Sequence, residues 1–394
     1  MPTTSPPPGV IVHEIRWSDA LPWWILFRAA GAAFSPTVIL LAALGALATW
    51  AGWSVADRLG VATVDPVAGI VARARSEESL TLPLPTGGLP TPATLAASRR
   101  VLPWLEQIAG VLPTVVSEIG RLMAVPFRPA ATLGEAAGAL ARLGWFVLVW
   151  SIFGTGISRH VALRLVGEEA PGLVGATLYG SRKWPAAFNS VLFVLLGVAV
   201  LSIPGTLLGF AMRTDAGLAV AGVVWPLVLG GAILLTILAL GVAAGWPLMV
   251  ATVGVERGDS FQAISTAFSY LYQRPLHYAF YALVALVVAV PALAVAGLFA
   301  DLSGAFAIWA TSFGMGHERT AELLRGLAVT PAGAEPWGVR AIGFWIRGVE
   351  ALLSSFGWGY FWAIATAAYV LLRRDVDGTE LDEVVIDEPG GGAG

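Results

Sequence analysis

From Ala216 to Val255 the chain carries no charged residue, and Leu, Val, Ala, Gly and Ile supply most of that run. A helix needs about 20 apolar residues to cross roughly 30 Å of hydrocarbon, so this one stretch already exceeds the thickness of a bilayer. Burying it inside a water-soluble domain would require polar elements to cover it, and the composition does not supply them. Of 394 residues, 57% are hydrophobic and 12% charged, with a mean hydropathy of +0.76. Soluble domains carry about twice that share of charge. The expected fold class is all-α, a polytopic membrane helix bundle of about six spans whose first partner is the lipid bilayer.

The six apolar stretches lie near 36–56, 143–158 with its flanks, 186–211, 217–255, 276–300 and 348–372. The fourth is too long for one span, and Pro226 is expected to divide it into an outer interfacial piece, Asp215 to Trp225, and a spanning helix ending at Val255. Pro204 and Pro291 predict kinks within the third and fifth spans. The chain then divides into an N-terminal tail with an interfacial helix (1–35), a first span (36–56) and an outer-face segment (57–142). A four-helix core with two elbows (143–300), a second outer segment (301–347), the sixth span (348–372) and an acidic tail (373–394) follow. The first apolar run begins too late, at Pro36, for a cleaved signal peptide.

Orientation follows from the arginines of the short connections. Arg16 and Arg28 precede the first span, Arg159, Arg164, Arg182 and Lys183 lie between the second and third, Arg257 and Arg274 between the fourth and fifth, and Arg373 and Arg374 after the sixth. Six spans collect all four clusters on one side, which predicts cytoplasmic N- and C-termini in an inner (cytoplasmic) membrane. The long segment 57–142 also holds arginines, but segments of that length translocate largely regardless of charge.

Both cytoplasmic connections share a pattern. Each has an acidic start, apolar residues three and four apart, and a proline opening the next span: Glu168-Glu169 through Leu173 and Leu178 to Pro185, and Glu256 and Asp259 through Phe261, Ile264 and Phe268 to Pro275. Asp19, Trp23, Trp24, Phe27 and Pro36 form a third copy. Three amphipathic elbows, with helices over 170–184 and 260–274, are thus expected at the membrane surface. On the other face, Pro66 to Ser76, a proline-rich linker from Leu82 to Pro92, the periodic run Leu105 to Leu122 and a polar helix from His317 to Leu327 predict ordered outer segments.

No reaction signature survives inspection. His317-Glu318 opens like a zinc-protease helix, but Ala321 stands where the second histidine must be, and the four histidines lie in four separate segments. There is no Gly-x-Ser-x-Gly, no phosphate-cradling glycine loop and no paired carboxylates within a span. The absence of cysteine removes thiolate ligands and thiol nucleophiles. Cofactors and metals are therefore not expected, and a net charge of −3 gives no basis for nucleic-acid binding. Arg142, Arg213, Asp301, Arg347 and Glu350 all fall at outer ends of spans, where snorkelling is cheap. Gly205-x-x-x-Gly209 and Gly241-x-x-x-Gly245 allow close helix contact. The tail from Arg373 to Glu383 reads as a solvated acidic end. The one polar constellation worth naming is at the cytoplasmic elbows, where Glu168, Glu169, Glu256 and Asp259 would meet Arg182 and Arg274 if the hairpins packed side by side.

Three segments carry a resemblance: Gly245-Trp246-Pro247-Leu248-Met249, Asp259 to Ser265 with Ser269 to Pro275, and Leu371 to Glu380. In these the chain resembles an uncharacterised family of multi-pass inner-membrane proteins of planctomycete bacteria. The elbow pattern is similar, more loosely, to the membrane domains of glycerophosphodiester phosphodiesterases, whose catalytic domain has no counterpart here. The resemblance implies a bacterial inner membrane and no activity or site residues. The function expected is non-enzymatic: organisation of the membrane or of membrane-protein partners, or passage of an uncharged or lipidic solute. The alternative is a membrane-embedded enzyme acting on lipids.

Overall fold

The computed structural model describes residues 21–59, 132–328 and 336–379, together with Ile119, Leu122, Met123 and Val125. The expectations for Asp19, the 66–76 helix, the proline-rich linker, most of the 105–122 run and the end of the acidic tail lie outside those residues. The described part is helical, with no strand among the described residues. A short turn of 3-10 helix over Pro22–Trp24 leads into α1 (Ile25–Ala33). Then come α2 (Pro36–Arg58), α3 (Leu133–Val166), α4 (Leu173–Ala211), α5 (Asp215–Glu256), α6 (Ser260–Gln273), α7 (Pro275–Met315), α8 (His317–Ala328), α9 (Trp337–Ser354) and α10 (Phe356–Asp377). Six stretches are long and apolar enough to cross a membrane: α2, α3, α4, α5, α7, and the consecutive pair α9–α10.

Local chemistry sets most of these boundaries. Ser35 caps α2 by accepting from Val38 N–H, and Pro36 occupies the first turn, where its missing N–H costs nothing. Thr132 and Glu135 form a reciprocal capping box at the start of α3, which therefore begins ten residues before the expected span. Gly167 and Gly378 end α3 and α10 at positive φ.

Besides the early start of α3 and the extension of α7 to Met315, three breaks differ from the sequence reading. Pro226 does not divide the fourth span: α5 runs unbroken for 42 residues with Pro226 and Pro247 inside it. A proline forfeits only one backbone bond of its helix, which an apolar helix of this length carries as a local adjustment. The 170–184 elbow is not a separate helix, because α4 continues through Pro185 for 39 residues. One side of this segment packs on protein, where Gly180 lies against the Ile152 carbonyl of α3 and Tyr179 O–H donates to Val253 O of α5 at 2.7 Å, while Val174 and Leu178 are exposed. The sixth span is two helices, broken at Ser355, whose hydroxyl donates to Leu352 O at 2.5 Å and competes with the backbone for it. The elbows at α1 and α6 do form as separate helices.

At about 1.5 Å per residue, α4, α5 and α7 reach roughly 60 Å, twice a bilayer's hydrocarbon thickness. Their lengths divide in character. From Leu195 to Leu240 the α4–α5 hairpin exposes Leu196, Val200, Ile203, Leu207, Phe210, Val223, Leu227 and Ile233, a surface suited to lipid. The other end of the bundle, here termed the elbow end, is the packed core. There α10 is enclosed by α1, α2, α3, α5 and α7, and Trp150, Trp362, Tyr369, Tyr270, Phe146 and Phe356 are fully buried.

At the elbow end α6 folds back antiparallel along α5. Phe268 seats against Gly241, where an added Cβ would lie 1.6 Å from the ring, and Ala267 faces Gly245. The Gly241-x-x-x-Gly245 pair thus serves the α5–α6 contact. Gly241→Ala is expected to destabilise the protein by about 1–3 kcal/mol. Truncating the ring as well, Gly241→Ala with Phe268→Ala, should cost about 1 kcal/mol less than the two changes summed. Thermal midpoints in detergent check this, and strictly additive values would contradict the seating.

Candidate functional site

The C-terminal turn of α5 is where the elbow end converges. Its terminal carbonyls have no intrahelical partners, and side chains from neighbouring helices supply donors. Tyr179 of α4 reaches Val253 O, Arg159 of α3 reaches Val255 O at 3.5 Å, and Lys183 of α4 reaches Arg257 O at 2.9 Å. Arg257 sits at φ 61°, a left-handed cap that turns the chain into α6. The cationic donors also match the negative end of the helix dipole. Arg159 is 2% exposed, with its guanidinium 5.5 Å from the centre of the Tyr179 ring.

Glu256 closes this hub on the side of α10. Its carboxylate accepts from Tyr369 O–H at 2.6 Å and from Gln262 Nε2 at 2.8 Å, and pairs with Arg373 Nε at 3.1 Å. The Glu256 and Arg373 side chains are 15% and 13% exposed, so the pair is largely screened from solvent. Two further tyrosine–carboxylate bonds tie down the last turn of α10: Tyr281 of α7 donates to Asp375 at 2.6 Å, and Tyr270 of α6 donates to Asp377. Burial first, then the acceptor Asp377 and the charge of Glu256, push the Tyr270 hydroxyl well above the ordinary tyrosine range, so it remains a donor.

The sequence-predicted cluster is distributed differently. Glu256 turns inward and is the centre of the hub, and Asp259 is exposed and caps α6 by accepting from Gln262 N–H at 2.8 Å. Glu168, Glu169, Arg182 and Arg274 are exposed. Five further residues, Arg159, Arg142, Arg373, Asp375 and Asp377, depart from expectation. Arg159, assigned to a connection, is buried within α3. Arg142, assigned to a snorkelling end, is 7% exposed and paired with Asp57 at 2.6 Å. Arg373 and Asp375, assigned to a solvated tail, are bonded into the bundle, and so is Asp377. His160 lies buried between Ser35 and the Pro171 carbonyl, which its Nδ1 meets at 2.8 Å.

Above the hub, α3, α5 and α10 meet in an aromatic cluster. Trp150 stacks on Trp362 with ring centres 5.9 Å apart, Trp246 meets Trp362 edge-on at 5.2 Å, and Phe146 contacts Trp246 and Trp358. These rings fill the bundle between the hub and the apolar hairpin. No group of three or more His, Asp or Glu side chains suited to a metal ion occurs among the described residues. What the arrangement offers chemically is one carboxylate held by three donors, and, among the described residues, an interior in which Arg142 and Arg159 are bonded to protein groups and the polar atoms without a partner, Arg142 Nε apart, are uncharged hydroxyls and indoles. Comparison of the chain with protein-family models, with curated proteins and with solved structures finds no match.

Proposed function

We propose that this is a non-enzymatic multi-pass protein of the bacterial inner membrane that passes an uncharged solute. The observation that carries the reading is the division of polar groups inside the bundle. Glu256, Arg373, Asp375 and Asp377 are used up on partners within the fold. Among the described residues, the buried side-chain polar atoms that no partner uses are, with the exception of Arg142 Nε, uncharged. A path for ions or a proton relay would place ionisable groups in the opposite role. An enzyme acting on lipids would need a nucleophile or general base free to reach its substrate, whereas Glu256 is held by Tyr369, Gln262 and Arg373.

Purified protein in phospholipid vesicles tests this by stopped-flow light scattering. Vesicles containing the protein should swell severalfold faster than protein-free vesicles in gradients of glycerol or urea, and no faster in gradients of their charged counterparts. Equal rates with and without protein for every uncharged solute would refute the reading. The reading places the elbow end in the cytoplasm, following the arginine distribution. A periplasm-active reporter should be active when fused at Gly88 and silent at Gly394, and the reverse pattern would invert the topology.

A further inference from the structure

Among the described residues, most buried helical hydroxyls are satisfied in one way, and three buried hydroxyls that are not satisfied at all lie on one stripe. Thr49, Thr177, Ser190, Thr252 and Thr366 each donate to a carbonyl three or four residues back in their own helix, at 2.7–2.9 Å. This is the ordinary way a helical serine or threonine is satisfied away from water. Ser151, Thr155 and Ser158 of α3 do not do so. All three are 0% exposed, and their hydroxyls have no hydrogen-bond partner. Spacings of four and three residues put them within about 60° of arc on α3.

That stripe faces α5, which runs parallel to α3. Phe146 meets Trp246, Arg159 reaches Val255 O, and Ser158 lies where a Cβ on Gly254 would come within 2.6 Å of its own Cβ. The same register sets Thr155 level with Ala251 and Ser151 level with Pro247. Trp150, next to Ser151 in the chain, and Trp246, next to Pro247, cluster with Trp362, whose ring lies against Gly154, and the indole N–H groups of all three are also buried and without a partner. These six atoms are six of the eight buried side-chain polar atoms left unsatisfied among the described residues, and all six are uncharged.

Each such atom costs about 1–3 kcal/mol when left unpaired, and an apolar residue of similar shape at any of these positions would remove that cost. We infer that the α3–α5 seam is a binding track for a small uncharged solute bearing hydrogen-bond-accepting oxygen, the class that includes water, urea and polyols. The indoles can only donate and the hydroxyls can do either, so the track has a surplus of donors. The track's role in transport rests on the passage reading above, but its existence does not. The tight Ser158–Gly254 contact closes the track at the hub end, so transit requires α3 and α5 to part there.

The chain contains no cysteine, so single replacements can be read without a background. Ser151→Cys, Thr155→Cys and Ser158→Cys in vesicle-reconstituted protein are treated with neutral, hydrophilic hydroxyethyl methanethiosulfonate. Ser190→Cys, equally buried but on a satisfied hydroxyl of α4, serves as the sealed control, and exposed Ser181→Cys as the open one. The seam cysteines should react at least about a hundredfold faster than Ser190→Cys, whose labelling awaits local opening, and molar urea or glycerol should slow them. Three positions keep the test intact if one variant fails to fold. Labelling of the folded seam variants as slow as that of Ser190→Cys would overturn the track. Solute flux with silent seam cysteines also removes the track and leaves the passage reading standing. Labelling without any flux leaves the track and removes the passage reading.

Discussion

Gly180→Ala is expected to destabilise the protein by about 3 kcal/mol, the upper end for an overpacked contact, or to prevent its accumulation in the membrane. At Gly180 an added Cβ would stand 2.0 Å from the Ile152 carbonyl oxygen and 3.3 Å from the Gly156 nitrogen. Both are backbone atoms, so no rotamer change relieves the clash. Helices α3 and α4 would have to separate along their length, with loss of the Tyr179 and Lys183 bonds to the end of α5. Gly205→Ala, in the same helix, provides the comparison. Nothing lies within 4 Å of an added Cβ at Gly205, and alanine's higher helix propensity should leave stability unchanged or raise it by up to about 1 kcal/mol. Thermal midpoints in one detergent decide the matter. Equal effects at the two glycines would mean that the α3–α4 crossing is not as close as described.

Glu256→Ala should cost about 3 kcal/mol, because removing one member of an enclosed ion pair strips the other of that pairing. Arg373, 13% exposed, would lose its carboxylate, and Tyr369 and Gln262 their acceptor. Glu256→Gln keeps an acceptor for Tyr369 in nearly the same shape and should cost roughly 1 kcal/mol, the loss of one charge-assisted bond. If the hub is a structural tie, Glu256→Gln combined with Arg373→Gln should be less damaging than the sum of the two, with a coupling of about 1–2 kcal/mol. Additive costs would place the two residues in separate environments.

Much of the fold was legible in sequence for a simple reason: a bilayer imposes length and polarity on each crossing segment, and both are visible without coordinates. The proline-opened α2 and α7 and the Asp259-capped α6 sit where the sequence put them, since their signals are local. The boundaries that moved were decided by tertiary contact. Pro185 reads as a span opening, yet Gly180 packed on Ile152 holds residues 173–187 in line with the rest of α4. Pro226 reads as a helix end, but nothing beside it offers α5 an alternative course.

The candidate site was half legible. Glu256 is legible as part of the acidic start of an elbow, in the cluster that the cytoplasmic connections would form if the hairpins packed side by side. Its partners were hidden because the pairing is long-range and mostly neutral: Tyr369 and Arg373 lie more than a hundred residues away, and tyrosines have no charge pattern to read. Arg373, Asp375 and Asp377 read as a solvated tail because a charged stretch looks alike whether or not its first turn continues a buried helix. Signals for the α3 seam were present in the spacing of Ser151, Thr155 and Ser158, but a sequence does not reveal which hydroxyls bond their own helix.

On the function proposed above, the charged hub holds the bundle together while the uncharged seam carries the solute. Two variants, reconstituted at equal density after their folding has been verified, test it in one flux assay. The first is Glu256→Gln with Arg373→Gln, and the second is Ser151→Ala with Thr155→Val and Ser158→Ala. Glycerol or urea flux should be close to wild type in the hub variant and fall towards the protein-free rate in the seam variant. Flux abolished by neutralising the hub and untouched by stripping the seam would contradict the account and move the working site to Glu256.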